Sequence, residues 1–342
     1  LKHANVAIFV PHAGCPQRCS FCSQHSITGQ ERLPTPGEVR ETLKTAEENL
    51  KEKSRFAEIA FFGGSFTAID RGDMLALLEA AAPSVRDGVF SGIRISTRPD
   101  AIDAKVLELL SRYGVTTIEL GAQSMNDVVL RQNRRGHTAR QVRQASELIR
   151  SAGFSLGLQM MTGLWGDTAA GAMQTACDLA GLKPDCVRIY PTVVMKGTEL
   201  ALRYRSGEYV PMALQETVEL CCDLLEFFGE HSIPVIRLGL HSSPEMQRDR
   251  VAGPWHPAFR ELCESRLFLR RLLAFLEREQ ILPGRVEIHV SPQWVSKAVG
   301  QSRCNLLELS RRGYQARVVP DSSMGPSEFL AFFPDNRLPA KA

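Results

Sequence analysis

The chain has 342 residues, 44% of them apolar and 23% charged, with a formal net charge of +3. That length predicts about two domains with a large core, and the composition is that of a globular protein rather than a disordered or collagen-like one. Apolar stretches such as Met74–Pro83 and Leu272–Leu276 are too short to cross a membrane. Val6–Val10 is too short for the apolar core of a signal peptide. The nine cysteines are an odd number without a disulfide-framework spacing, which predicts a reducing, cytoplasmic location. Cys177, Cys186, Cys221, Cys222, Cys263 and Cys304 lie mostly in apolar segments and read as small buried hydrophobes.

Short β-rich runs alternate with amphipathic stretches over the first two hundred or so residues, the pattern of βα units on a parallel sheet. The predicted strands are Val6–Val10, Glu58–Phe62, Gly92–Ser96, Thr116–Leu120, Phe154–Met160 and Cys186–Tyr190. The predicted helices are Pro36–Lys53, Asp70–Ala82, Ala104–Tyr113, Ala139–Ala152 and Thr168–Leu182. This predicts an α/β fold, a partial TIM-like barrel written (β/α)6. In such barrels the active site lies at the C-terminal ends of the strands.

After the first strand come Cys15, Cys19 and Cys22, separated by three and two residues. Three thiolates this close can hold three irons of a 4Fe-4S cluster and leave the fourth iron open. A Cys3His zinc site completed by His25 is the competing reading, since thiolates suit both. The cysteine spacing, at the end of an apolar strand, resembles the signature of the radical S-adenosylmethionine (radical SAM) superfamily. That resemblance implies that the open iron chelates the methionyl group of S-adenosylmethionine. One electron then cleaves S-adenosylmethionine to methionine and a 5′-deoxyadenosyl radical, which abstracts hydrogen from the substrate. It also implies a reductant such as flavodoxin or ferredoxin as partner, and it places Phe21 against the adenine.

The other strand ends carry matching residues. Gly63-Gly64-Ser65-Phe66-Thr67 follows the second strand, and paired glycines let a ligand approach the backbone. In the superfamily this loop binds the methionyl amino group. Ser96 and Arg98 follow the third strand and suit a ribose hydroxyl or a carboxylate, although Arg98 can equally pair with a local acid. Gln123 follows the fourth, with an amide for the ribose or adenine. Gln159 follows the fifth, where Met160 and Met161 read as core. Arg188 and Tyr190 on the sixth, and Lys196 beyond it, are expected substrate contacts.

The segments Ile189–Leu200, Ser206–Tyr209, Gly63–Thr67 and Glu119–Ser124 resemble the radical SAM part of the Elongator catalytic-subunit family. The likeness runs over about residues 5 to 240. That family modifies uridine at the tRNA wobble position and joins radical chemistry to an acetyl-coenzyme A domain. Here the first cysteine gap is shorter than in the Elongator subunit, and no Gly-rich acetyl-coenzyme A loop follows residue 240. The resemblance is therefore to that branch without its acetyltransferase domain. Trp165 stands where relatives commonly place proline, at the expected barrel mouth.

Residues 1–240 are thus expected to be the barrel, and 241–280 a loop and helix closing or linking it. Residues 281–320 read as strand, helix, Gly loop, helix, strand. That order resembles a KH domain, a small α+β unit whose loop clamps a nucleic-acid backbone. Arg303 replaces the second loop glycine. Six Lys and Arg side chains oppose only Glu287 and Glu308 in this stretch, which makes Lys297, Gly300 and Arg303 the expected RNA contacts. The alternative is a solvated basic face. Residues 321–342 are expected to be a peripheral tail.

Three functions compete at this point. The first is a radical SAM enzyme acting on RNA, with tRNA as the expected partner. The second is a radical SAM enzyme acting on a small molecule, as oxygen-independent coproporphyrinogen oxidases do, which share the cysteine spacing. The third is a zinc-stabilised RNA-binding scaffold.

Overall fold

A computed structural model describes residues 4–11, 15, 19–23, 32–240 and 243–333, and the backbone of 336–341. His25 lies outside the described residues. Two compact units emerge: residues 1–214 with 224–255, and residues 215–223 with 256–342.

In the first unit, β1 (Ala4–Val10) is followed by α1 (Pro36–Leu50). The Thr35 hydroxyl accepts from the Glu38 N–H, and the Glu38 carboxylate accepts from the Thr35 N–H. This reciprocal cap, with Pro36 at the first helical position, fixes where α1 starts. Then come β2 (Ala57–Gly63), α2 (Arg71–Arg86), β3 (Gly92–Thr97), α3 (Ala104–Arg112) and β4 (Val115–Gln123). After α4 (Asp127–Gln132) and α5 (Ala139–Ser151) come β5 (Ser155–Thr162), α6 (Ala169–Gly181) and β6 (Cys186–Pro191). The unit ends with β7 (Val194–Met195), α7 (Glu199–Ser206), α8 (Leu214–Glu230), β8 (Val235–Leu238), α9 (Pro244–Asp249) and β9 (Arg250–Ala252). Residues 215–223, the N-terminal half of α8, group with the second unit.

The main sheet runs β1-β2-β3-β4-β5-β6-β8, every pair parallel. It is a curled half-barrel with helices, a partial TIM barrel. Its strands are apolar almost throughout; Ile59, Phe61, Ile93, Ile95, Ile118, Leu120 and Leu156 are fully buried, as a parallel sheet covered on both faces requires. The sheet has one strand more than the six expected. β8 is four residues long between Pro234 and Gly239, a run too brief to stand out by periodicity. The loop expected at the start of 241–280 contains α9 and β9, and β9 pairs antiparallel with β7.

In the second unit α10 (Phe259–Arg278) is followed by β10 (Arg285–Val290), α11 (Val295–Val299), α12 (Cys304–Arg311), β11 (Gln315–Pro320), β12 (Phe329–Phe333) and β13 (Asn336–Lys341). The sheet order is β11-β10-β12-β13, with β10 and β11 parallel and the other pairs antiparallel. One expectation is corrected here. The stretch 321–342 is no tail: β12 supplies Phe329, Ala331 and Phe333 to the core of this unit. The helix expected to close or link the barrel packs into that same core, with Phe268 and Phe275 each 5.5 Å edge-on from Phe329. Aromatic residues spaced along β12 need a partner face, and α10 provides it.

Of the six cysteines outside the N-terminal run, Cys186, Cys221, Cys222 and Cys263 are buried, while Cys177 and Cys304 are exposed. Among the described residues no helix is long and apolar enough to cross a membrane.

Candidate active site

The C-terminal ends of β1 to β6 and β8 surround a cavity of about 380 Å³ within the first unit. Cys15, Cys19 and Cys22 all line it. The loop carrying them is tied down from α4. Ser20 donates through its hydroxyl to Asn133 Oδ1 at 2.9 Å and through its N–H to the Asn133 carbonyl. Asn133 in turn donates to the Trp165 and Val129 carbonyls. Phe21 lines the cavity and packs against two buried clusters, one of Val194, Leu200, Ala201 and Tyr209 and the other of Val129, Met161 and Leu164. Trp165 does not line the cavity. Its indole lies under the Arg203 guanidinium at 3.8 Å and packs against Val194, Leu200, Ala201 and Tyr209.

Burial pushes the Cys15 thiol above its ordinary value, with the neighbouring Cys19 adding to it; Arg98, Arg135 and the Ser65 N–H pull it back. Nearby cations and N–H donors favour the thiolate form that binds metal. Arg135 is the residue the sequence reading missed. Its Nη1 donates to Cys19 Sγ at 3.2 Å and its Nη2 to the Gly121 carbonyl at 2.6 Å. The available signal is the run Arg134-Arg135-Gly136-His137 just past α4, but nothing local aims that side chain at the cysteines. Gly121 makes the room, since a Cβ there would stand 3.2 Å from Arg135 Nη2 and 2.9 Å from Gln123 Nε2.

Gly63 and Gly64 line the cavity as expected, and Gly63 has φ of 111°, which only glycine adopts without strain. Ser65 does not line it. Its hydroxyl hydrogen-bonds Thr97 Oγ1 at 2.9 Å and accepts from the Arg98 N–H at 3.1 Å, so its side chain splices the β2 loop to the end of β3. Arg98 pairs with Asp100 through two hydrogen bonds of 2.8 and 2.6 Å, the local acid that the sequence left open. Burial works against the Asp100 charge, but the Arg98 bonds outweigh it and hold the carboxyl below its usual value.

Ser96, Gln123 and Gln159 line the cavity. Gln123 Oε1 is buried without a hydrogen-bond partner among the described residues, and an orphaned buried acceptor is a place for a ligand donor. Gln159 Nε2 donates to Glu119 Oε2 at 2.9 Å and to Ser96 Oγ at 3.3 Å. Behind it lies a buried ionic chain. Arg94 bridges Glu58 at 2.7 Å and Glu119 at 2.8 Å, and Glu119 also holds Arg188 at 2.7 and 2.8 Å. Burial opposes the Arg188 charge, yet Glu119 more than offsets it and keeps the guanidinium protonated. Arg188 and Tyr190 line the cavity, whereas Lys196 is exposed and does not.

The expected RNA contacts separate in the same way. Lys297 is engaged by Glu264 at 2.6 Å and by the Trp294 ring at 4.2 Å. Gly300 is buried with φ of 77°, and a Cβ there would meet Cys304 Sγ at 2.6 Å. Arg303 is exposed in the left-handed region, φ 63°. Around them Glu308 pairs with Arg311 and Arg312, and Glu287 with Arg317, so much of the basic excess is neutralised locally.

The donor set fits a 4Fe-4S cluster. Each cysteine of a cube binds a different iron, and here the three thiols share a cavity with Arg135 and two glycines. Among the described residues no three Cys, His, Asp or Glu side chains converge on a single ion.

Residues 9–176 match the Radical SAM superfamily and residues 184–268 the Radical_SAM C-terminal domain. The chain belongs to the radical SAM superfamily, whose members use a 4Fe-4S cluster and S-adenosylmethionine. It is 29% identical over 254 residues to an uncharacterised protein of Methanocaldococcus jannaschii, covering 73% of this chain and 74% of that one. It is 26% identical over 260 residues to a tRNA uridine(34) acetyltransferase of the same organism, covering 64% of this chain and 47% of that protein. The chain thus spans about half the length of that acetyltransferase. The fold resembles that of the archaeal Methanocaldococcus infernus Elp3, with a TM-score of 0.57 at 19% identity, over 82% of this chain and 63% of that one.

Proposed function

We infer that this chain is a radical SAM enzyme that modifies RNA, with tRNA as the substrate. The observation that carries the chemistry is the convergence of Cys15, Cys19 and Cys22 with Gly63, Gly64 and Gln123 on one cavity. When bound there, the cluster and S-adenosylmethionine supply a carbon radical that abstracts hydrogen. The protein's own residues bind, orient and shield. Cys15, Cys19 and Cys22 hold the cluster. The Gly63–Gly64 backbone and the Gln123 amide receive S-adenosylmethionine, Phe21 packs on its apolar part, and Ser96 and Gln159 complete the pocket wall. Arg188 and Tyr190 face the substrate. The RNA reading is supported by the likeness to tRNA uridine(34) acetyltransferases and by the exposed Arg303 beside the Gly300 turn.

The test is anaerobic. The protein is reconstituted with iron and sulfide, given S-adenosylmethionine and a strong reductant, and assayed for 5′-deoxyadenosine with and without bulk tRNA. Product that rises with tRNA is expected. Product indifferent to tRNA would move the substrate to a small molecule. Cys19→Ser should keep the fold and lose cleavage; full cleavage by that variant would overturn the assignment, as would zinc in place of iron.

A further inference from the structure

The cavity holds a charge that the cofactor site does not use. Arg188 on β6 and Arg237 on β8 are register partners in the parallel sheet. They become partners only because the register slips by one residue, from Val187↔Val235 to Arg188↔Arg237, leaving Ile236 as the extra residue. Ile236 is 41% exposed, whereas both arginines line the cavity. Bulges beside active sites re-aim side chains, and this one turns Arg237 to the same side as Arg188. Two like charges side by side on neighbouring strands repel. Glu119 neutralises Arg188 but is already shared with Arg94, which also takes Glu58. Arg237 has no carboxylate: its Nε donates to the Gly239 carbonyl at 3.0 Å, and no acidic partner meets it among the described residues. Tyr190, whose hydroxyl is pushed up by burial and stays neutral, faces the same cavity and cannot compensate. Nor does any Asp or Glu among the described residues line the cavity.

We propose that Arg237, with Arg188 beside it, is an anion subsite that grips an oxyanion group of the molecule receiving the radical. The chemistry recognised is a phosphate or carboxylate, which a guanidinium fork binds through two parallel N–H donors. The inference rests on this cavity being the substrate site of the proposed enzyme. It is read by binding alone, so its failure is distinct from failure of the RNA reading, which is judged by tRNA-dependent cleavage.

The experiment uses the reconstituted protein with S-adenosylmethionine bound, at constant chloride-balanced ionic strength. Calorimetric titration is run with inorganic phosphate, uridine 5′-monophosphate and acetate, and with uncharged uridine and acetamide as controls. Saturable binding of the anions and none of the controls is expected. Arg237→Gln should weaken anion binding by roughly tenfold or more, and Arg237→Lys should recover part of it. Affinity for S-adenosylmethionine should stay within about twofold in both variants. Tighter binding of the phosphates identifies a nucleotide as the source of the anion, and tighter acetate a small carboxylate substrate. Controls that bind as well as anions, anion binding unchanged by Arg237→Gln, or a parallel loss of S-adenosylmethionine affinity would each overturn the proposal. Should Arg237→Gln not fold, the comparison of anions with neutral analogues on the unaltered protein decides alone.

Discussion

Arg135 Nη1 stands 3.2 Å from Cys19 Sγ, although 116 residues separate them in the chain. The same guanidinium is anchored on the β4 backbone at Gly121. A cation donating to a cluster sulfur stabilises the reduced, more negative state and raises the reduction potential. Arg135→Met is therefore expected to lower the cluster potential by tens of millivolts, on the order of a tenfold change in a one-electron equilibrium. Potentiometric titration followed by electron paramagnetic resonance measures it. A potential that does not move would mean that Arg135 is only a strut between β4 and the cysteine loop.

Glu119 is the hub of the buried ionic chain, wholly inaccessible and bonded to Arg94, Arg188 and Gln159. Removing one partner from such a chain leaves buried cations uncompensated. Glu119→Gln should cost about 3–5 kcal/mol of stability, read as a lowered urea midpoint. A loss below about 1 kcal/mol would show that water reaches the two arginines.

His137 gives the fold a pH dependence. Burial depresses its imidazole from the ordinary value to about 4, with Arg135 adding to the shift and the Ala122 carbonyl opposing it. The unfolded chain takes up a proton near pH 6.5 that the folded chain refuses until about pH 4. Stability contributed at neutral pH is therefore lost progressively as pH falls between those values, by up to about 3 kcal/mol. Urea unfolding from pH 7.5 to 5 should show this slope, flattened in His137→Gln. Equal slopes in the two proteins would assign the effect to other groups.

Gly300 and Arg303 separate folding from RNA contact in the second unit. A side chain at Gly300 must displace Cys304 Sγ and approach the Asn305 backbone nitrogen at 3.0 Å, so Gly300→Ala should destabilise by about 1–3 kcal/mol. Arg303→Ala should leave stability nearly unchanged. It should reduce RNA affinity and lower the slope of log affinity against log salt by about 1. Filter binding across a salt series measures both quantities, and an unchanged slope would remove Arg303 from the interface.

The six long strands and most of the cavity wall are legible because parallel strands buried on both faces read as apolar runs, and the polar residues at their ends stand out. The cysteine spacing carries the cofactor for the same local reason. What escapes depends on distance. Arg135 meets Cys19 only through the path of β4, and Ser65 turns from the cavity because Thr97 and the Arg98 N–H offer it partners. β8 is too short to register. Residues 321–342 read as a tail, since Phe329, Ala331 and Phe333 disclose their purpose only when the face of α10 is set against them.

Gln123 ends β4 with φ of 66° at a point where the register slips past Ala122. A non-glycine residue held there costs on the order of 1 kcal/mol or more, and its amide oxygen is left without a donor among the described residues. The substitution Gln123→Gly would relax the backbone but discard the oxygen, so thermostability and ligand affinity are set against each other at this one position. A screen for heat resistance alone would drift toward the small residue and lose the site without disturbing the fold. Selection for turnover would retain the strained amide.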